Sequence, residues 1–218
     1  GFGDVPCFSV ITMICDDFKI SGELDGNTAV CNSLPAMEKA IYKIAEKHLQ
    51  EVYAGHEVAS HTLDHVLLPD CESDEEIIRQ VEQDRLRLSE IMGYEIVGLA
   101  YPGDPAGRKN YDDRCVELIQ KHTGIQYARS ISYNSSFALP QNLYAIETQY
   151  PLCRFEERDQ AADKFLNSAA DTPQALLYMC HCYEMDYGSD YWYKTEEFFE
   201  KISKRDDIFY GTNKEVLL

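Results

Sequence analysis

The chain has 218 residues, 44% hydrophobic and 27% charged, a balance that suits one soluble globular domain spanning 1–218 and gives no reason to invoke extensive disorder. Twenty basic residues against thirty-eight acidic ones give a formal net charge of −18. That charge repels nucleic-acid phosphates and anionic lipid surfaces, so neither is an expected partner, and no apolar run is long enough for membrane insertion.

The first predicted element is a strand over Phe8 to Ile14, a β-branched apolar run that stops against Asp16 and Asp17. A helix follows Ser33, with Pro35 in its first turn, and runs to about Gln50. Val58 and Ala59 then lead into the histidines of GHEVASHTLDH, residues 55–65. Ser73-Asp74-Glu75-Glu76 reads as the capping-box start of a long helix. Its apolar residues Ile77, Val81, Leu88 and Ile91 form one stripe, and Gly93 ends it.

Ile96 to Ala100 is the next strand, followed by the loop Tyr101-Pro102-Gly103-Asp104-Pro105. A helix spans Asp112 to Thr123 and stops at Gly124. Strand-like stretches follow at Ile125–Arg129, Leu143–Ile146 and Ala175–Cys180, with helices near Glu157–Ala170 and Thr195–Lys204, and Ile208–Tyr210 closes the pattern. Alternating strands and helices indicate parallel βα units. Seven or eight of them in this length predict a distorted or incomplete (β/α) barrel, with an open doubly wound sheet as the alternative.

The eight cysteines are scattered, several inside strand-like runs and none in a C-x-x-C pair. Free buried thiols in a reducing compartment fit that pattern, and a cytoplasmic location is expected; a signal segment already removed is compatible with the same sequence.

In parallel βα folds, binding groups gather at the carboxyl ends of strands. Here Asp16 and Asp17 end the first strand, His61 and His65 follow the third and Tyr101 follows the fourth. Arg129 ends the fifth, and His181 follows Leu176–Cys180. Taken singly each has an ordinary reading as a turn, a cap or a surface ion pair. Together they form a different pattern. Two imidazoles four residues apart, tightly turned or helical, can reach one point, and with a carboxylate they make a ligand set for a catalytic divalent metal with an open position.

The order of these motifs resembles the polysaccharide deacetylase family, the NodB homology domain. Ile14-Cys15-Asp16-Asp17-Phe18 is similar to its first motif and GHEVASHTLDH to its second; Ala100-Tyr101-Pro102 is similar to the A-Y-P form of its third. Leu177-Tyr178-Met179-Cys180-His181 is similar to the late strand-plus-histidine motif, and the following Cys182-Tyr183-Glu184-Met185 echoes a form found in a bacterial branch. The resemblance implies a hydrolase of carbohydrate metabolism that removes N-acetyl groups from a carbohydrate, or hydrolyses another non-peptide C–N bond. It implies Asp17, His61 and His65 as ligands of a divalent metal, commonly Zn2+. It further implies Asp16 as general base, His181 as general acid, and the backbone N–H of Tyr101 as a donor to the oxyanion.

This chain departs from the family pattern at two places. Phe18 stands where a glycine usually follows the two aspartates, and the short Phe18–Asn27 stretch points to a shortened first βα unit. Ala100 stands where many members carry an arginine that pairs with the base; Arg129 or Arg108 replaces it, with Arg129 favoured because it ends a strand. A catalytically silent member that keeps a carbohydrate-binding pocket is the alternative function.

Overall fold

The computed structural model describes residues 48–103 and 107–218. The predicted strand at Phe8–Ile14, Asp16, Asp17, Phe18 and most of the helix after Ser33 lie outside the described residues, as does Asp104-Pro105; residues 48–52 are helical.

The long helix α1, Asp74–Met92, is set by local chemistry at both ends. Ser73 Oγ accepts from the N–H of Glu76, and three acidic residues in the first turn face the positive end of the helix dipole. Gly93 closes the helix at φ 75°, where a residue with a Cβ would be disfavoured. Helix α2, Asp113–His122, is capped by Asp112, whose side chain accepts from the N–H of Cys115.

Between and after these helices lie β1 (Gly98–Ala100), β2 (Tyr127–Tyr133) and β3 (Ile146–Thr148), which form a parallel sheet in the order β1-β2-β3. Ser60 extends that sheet on the far side of β1 through a parallel bridge to Leu99. A second parallel pair joins β4 (Tyr150–Pro151) to β5 (Tyr178–Met179). Helices α3 (Phe155–Leu166), α4 (Tyr191–Ile202) and α5 (Asn213–Leu217) complete the set, with tight helical turns at Leu68–Asp70 and Cys182–Asp186.

The architecture is mixed α/β with parallel strand pairs. Closure into a barrel and the expected seven or eight strands do not appear among the described residues, where the sheets have three and two strands. Ile208–Tyr210, expected to be a strand, is irregular. No helix among the described residues is long and apolar enough to cross a membrane.

Helices α1 and α2 cover one face of the sheet. Ile77, Val81, Cys115 and Ile119 pack with Leu99, Tyr101, Ile125 and Ala128 into the main core. Leu152, Ala162, Tyr178 and Phe198 make a second core around β5, α3 and α4. Both cores lie against sheet residues.

Candidate active site

His61 is reached by a strand-like approach. Ser60 donates its N–H to Gly98 O at 2.9 Å and accepts from Ala100 N at 2.8 Å, so His61 stands one residue beyond the sheet, buried beside the end of β1. Past Ser60 the chain is turned rather than helical. Thr62 has φ 71° and His65 has φ 52°, both left-handed, and these two reversals bring the imidazoles to 4.8 Å between ring centroids with planes at 75°. Left-handed backbone at a residue with a Cβ costs about 1–3 kcal/mol, and β-branched Thr62 is a marked outlier.

The donor chemistry at His61 fits a metal ligand. Its Nδ1 lies 2.6 Å from Ala100 O, and a carbonyl can only accept, so Nδ1 carries the proton and Nε2 keeps its lone pair. Burial lowers His61 from its ordinary value to about 4; the Ala100 bond partly offsets this, while His65, Arg129 and His181 add to it. The ring is therefore neutral near pH 7, the state a ligand needs. The described residues supply two imidazoles, and among them no group of three His, Cys, Asp or Glu side chains suits a metal. The proposed third ligand, Asp17, lies outside the described residues.

Arg129 pairs in register with Ala100 across β1 and β2. Neighbouring strands run about 4.8 Å apart and paired residues point to the same face, so an arginine there can serve the place where Ala100 has none. Its guanidinium is buried, with Nη1 donating to Ser130 O at 3.2 Å and Nε without a hydrogen-bond partner. Burial lowers it to about 10. Arg108 is instead at the surface, 2.9 Å from Asp70 Oδ2. Of the two arginines, Arg129 lies near His61 and Arg108 pairs with Asp70 at the surface.

His181 follows β5 and is about one-third exposed. Its backbone N–H donates to Glu184 Oε2 at 3.1 Å, and its Nδ1 lies 3.4 Å from Glu184 Oε1 without a directed hydrogen bond. Its ring stacks on Tyr183 with centroids 5.0 Å apart. Cys153 also donates to Glu184, at 3.4 Å. The histidine loop, with His61 and His65, is thus brought to one region with Arg129 and His181, from three segments of chain.

Tyr101 does not join them. Its N–H donates to Arg129 O at 2.9 Å as part of the β1–β2 ladder, and its buried side chain donates to Tyr144 O and stacks on Tyr111. The N–H expected to serve as the oxyanion donor is thus engaged inside the sheet. The side chain is core.

The sequence reading missed Gln80, Asp84 and Glu184 as supports of the site. Asp84 Oδ2 accepts from Ser60 Oγ at 2.7 Å and from His61 N at 2.9 Å, and the N–H of Thr62 bonds the same carboxylate. Gln80 Oε1 accepts from Asp64 N at 3.0 Å, its Nε2 donates to Asp64 Oδ2 at 2.7 Å, and its carbonyl accepts from Leu63 N. A signal was present: Asp84 falls between Val81 and Leu88 on the apolar stripe of α1, and a carboxylate in a buried stripe needs partners. A cavity of about 330 Å³ among Phe165, Phe199, Phe209 and Tyr210 holds none of the candidate catalytic groups.

Comparison with known proteins agrees with the motifs. Residues 32–128 match the family model described as polysaccharide deacetylase. No curated protein matches the sequence. Among solved structures, the Puue allantoinase is 15% identical with a TM-score of 0.61, over 79% of this chain and 63% of that one. A 4-alpha-glucanotransferase from Thermococcus litoralis is 14% identical with a TM-score of 0.55, over 84% and 32%. A polysaccharide deacetylase from Bacillus cereus is 23% identical with a TM-score of 0.37, over 48% and 30%. The chain spans less than two thirds of the length of each. At these identities the first two likenesses concern the fold alone.

Proposed function

We propose, from the match of residues 32–128 to the polysaccharide deacetylase family model, that this chain is a member of that family and a metal-dependent hydrolase releasing acetate from an N-acetylated carbohydrate. The observation that carries this reading is the His61–His65 pair at 4.8 Å, with His61 Nδ1 fixed on Ala100 O so that its second nitrogen is free.

Asp17, His61 and His65 would hold a divalent ion, with Zn2+ suited to the two imidazole nitrogens and one carboxylate. When bound, that ion supplies Lewis acidity to the site. The remaining work falls to the chain's own side chains. Asp16 takes a proton from the attacking water. Arg129, buried and without a carboxylate partner among the described residues, supplies the positive charge beside which such a base stays ionised. His181, held at its backbone N–H by Glu184, delivers a proton to the departing amine. The formal charge of −18 favours a neutral or amine-bearing glycan over an anionic one.

The test is acetate release from N-acetylated oligosaccharides by purified protein, before and after chelation and after Zn2+ is returned. Turnover lost on chelation, restored by metal, and absent in Asp16→Asn supports the reading. Turnover unchanged by Asp17→Ala, or no acetate release by protein with metal bound, overturns it; in the latter case glycan binding without turnover would mark a silent, carbohydrate-binding member.

A further inference from the structure

We propose that helix α1 is the template that holds the two histidines in ligand geometry, with Asp84 and Gln80 as its positioning residues; this rests on the reading of His61 and His65 as metal ligands. The loop they cross needs such a template. Thr62 and His65 both sit in left-handed backbone, a conformation that persists only where surrounding bonds over-determine it. The bonds that do so come from one helix face.

Asp84 and Gln80 are four apart, one above the other on that face, and both are buried. Asp84 gathers Ser60 Oγ, His61 N and Thr62 N on a single carboxylate. One turn earlier Gln80 takes Leu63 N on its carbonyl and Asp64 N on its side-chain oxygen, while its amide donates to Asp64 Oδ2 and Glu76 Oε1. Arg79 Nη2 adds a 3.3 Å bond to the same Asp64 oxygen. Every backbone N–H from His61 to Asp64 is thereby fixed to α1, and the Val66 N–H closes the turn on Thr62 Oγ1 at 3.3 Å.

The division of labour follows from chemistry. A carboxylate can accept three donors at once, whereas an asparagine at position 84 offers one oxygen and would turn an N–H toward donors. Neither Asp84 nor Gln80 bonds an imidazole; both act through the backbone on either side of one. Loosening the loop should therefore spread the two rings before it unfolds the helix beneath them.

The experiment is a Zn2+ binding isotherm on metal-free full-length protein, for the wild type, Asp84→Asn, Asp84→Ala and Gln80→Met, with amide exchange of residues 60–65 measured on the same samples. We expect affinity to fall about 10–100-fold in Asp84→Ala and less in Asp84→Asn, the range typical of groups that orient metal ligands. Exchange at His61 and Thr62 should rise in step. Gln80→Met keeps the helix volume and removes only the side-chain bonds, so it provides the result if Asp84→Ala fails to fold; its affinity should fall several-fold with helix content unchanged. Folded variants that bind Zn2+ as tightly as the wild type overturn the positioning role. A wild type that binds no Zn2+ overturns the ligand reading beneath it, and the two failures are thus separable.

Discussion

Gly98→Ala is a small change whose cost can be worked from the structure. Gly98 lies in β1 directly beside Tyr127 of β2, and a Cβ placed there would overlap the Oη and Cζ of Tyr127 and stand 3.0 Å from Cε2. The tyrosine cannot swing away. It is fully buried, its hydroxyl donates to Glu57 Oε1 at 2.5 Å, and Glu57 Oε2 is held by Lys214 N at 2.9 Å. Overpacking a well-filled site costs about 1–3 kcal/mol. Giving up the hydroxyl–carboxylate bond to make room costs about 1.5–3 kcal/mol instead. The variant should therefore lose about 2–3 kcal/mol in urea unfolding at pH 7. Because β1 also carries the Ala100 carbonyl that orients His61, acetate release should fall as well. Tyr127→Phe removes the Oη overlap, so Gly98→Ala should cost about 1 kcal/mol less in that background. A Gly98→Ala protein within 0.5 kcal/mol of the wild type, or equal costs in both backgrounds, would refute the reasoning.

Arg129→Met should lower kcat by about 100-fold or more while KM changes little, if the guanidinium supports the base; steady-state kinetics on one oligosaccharide decides it. Tyr101→Phe should leave kcat within about twofold of the wild type and cost about 1 kcal/mol of stability through the lost bond to Tyr144 O, read by thermal unfolding. Glu82 is pushed upward by burial, yet bonds from Arg85 and from Gly124 N hold it below its usual value of 4.5. A depressed carboxyl contributes stability above the unfolded value that is lost as pH falls through the folded one. Glu82→Gln should thus be less stable at pH 7 by about 1 kcal/mol or less, with the gap closing below about pH 4.5. Cys182 is exposed, and a hydrogen bond from Cys180 lowers its thiol from the ordinary range while Cys180 is raised. Limited iodoacetamide labelling near neutral pH, followed by peptide mass analysis, should find Cys182 modified ahead of Cys71, Cys153 and Cys180.

Legibility followed the range of the interactions involved. Helix α1 could be read to within a residue because Ser73, the acidic first turn and Gly93 act within four residues of where they stand. The ends of α2 were legible for the same reason. The two-residue strand β4 was not, since Tyr150-Pro151 has no periodicity of its own and takes its conformation from Tyr178 and Met179. The short helix α5, missed in the sequence, is fixed by the reciprocal bonds of Thr212 and Glu215. At the site, His61, His65, Arg129 and His181 could be nominated by their places after strands. Whether the N–H of Tyr101 was free could not, because a parallel register decides it and a register is a relation between two strands. The left-handed turns at Thr62 and His65 were hidden for a related reason. Neither residue type prefers that conformation, and helix α1 imposes it from outside the segment.

The bond between Glu57 and Lys214 also bears on the order in which the molecule assembles. The two residues are 157 positions apart, and Glu57 lies only four before His61. Closing a loop of that span costs about 2.4 kcal/mol more chain entropy than closing one of ten residues, at about 0.6 kcal/mol per doubling. The turns of α1 and α2 can form early, on contacts close in sequence. The segment leading into the histidines gains its last anchor only when the far end of the chain has docked. Acquisition of metal affinity should accordingly lag behind the appearance of helix during refolding, and Lys214→Pro, which removes the donating N–H, should slow the first far more than the second.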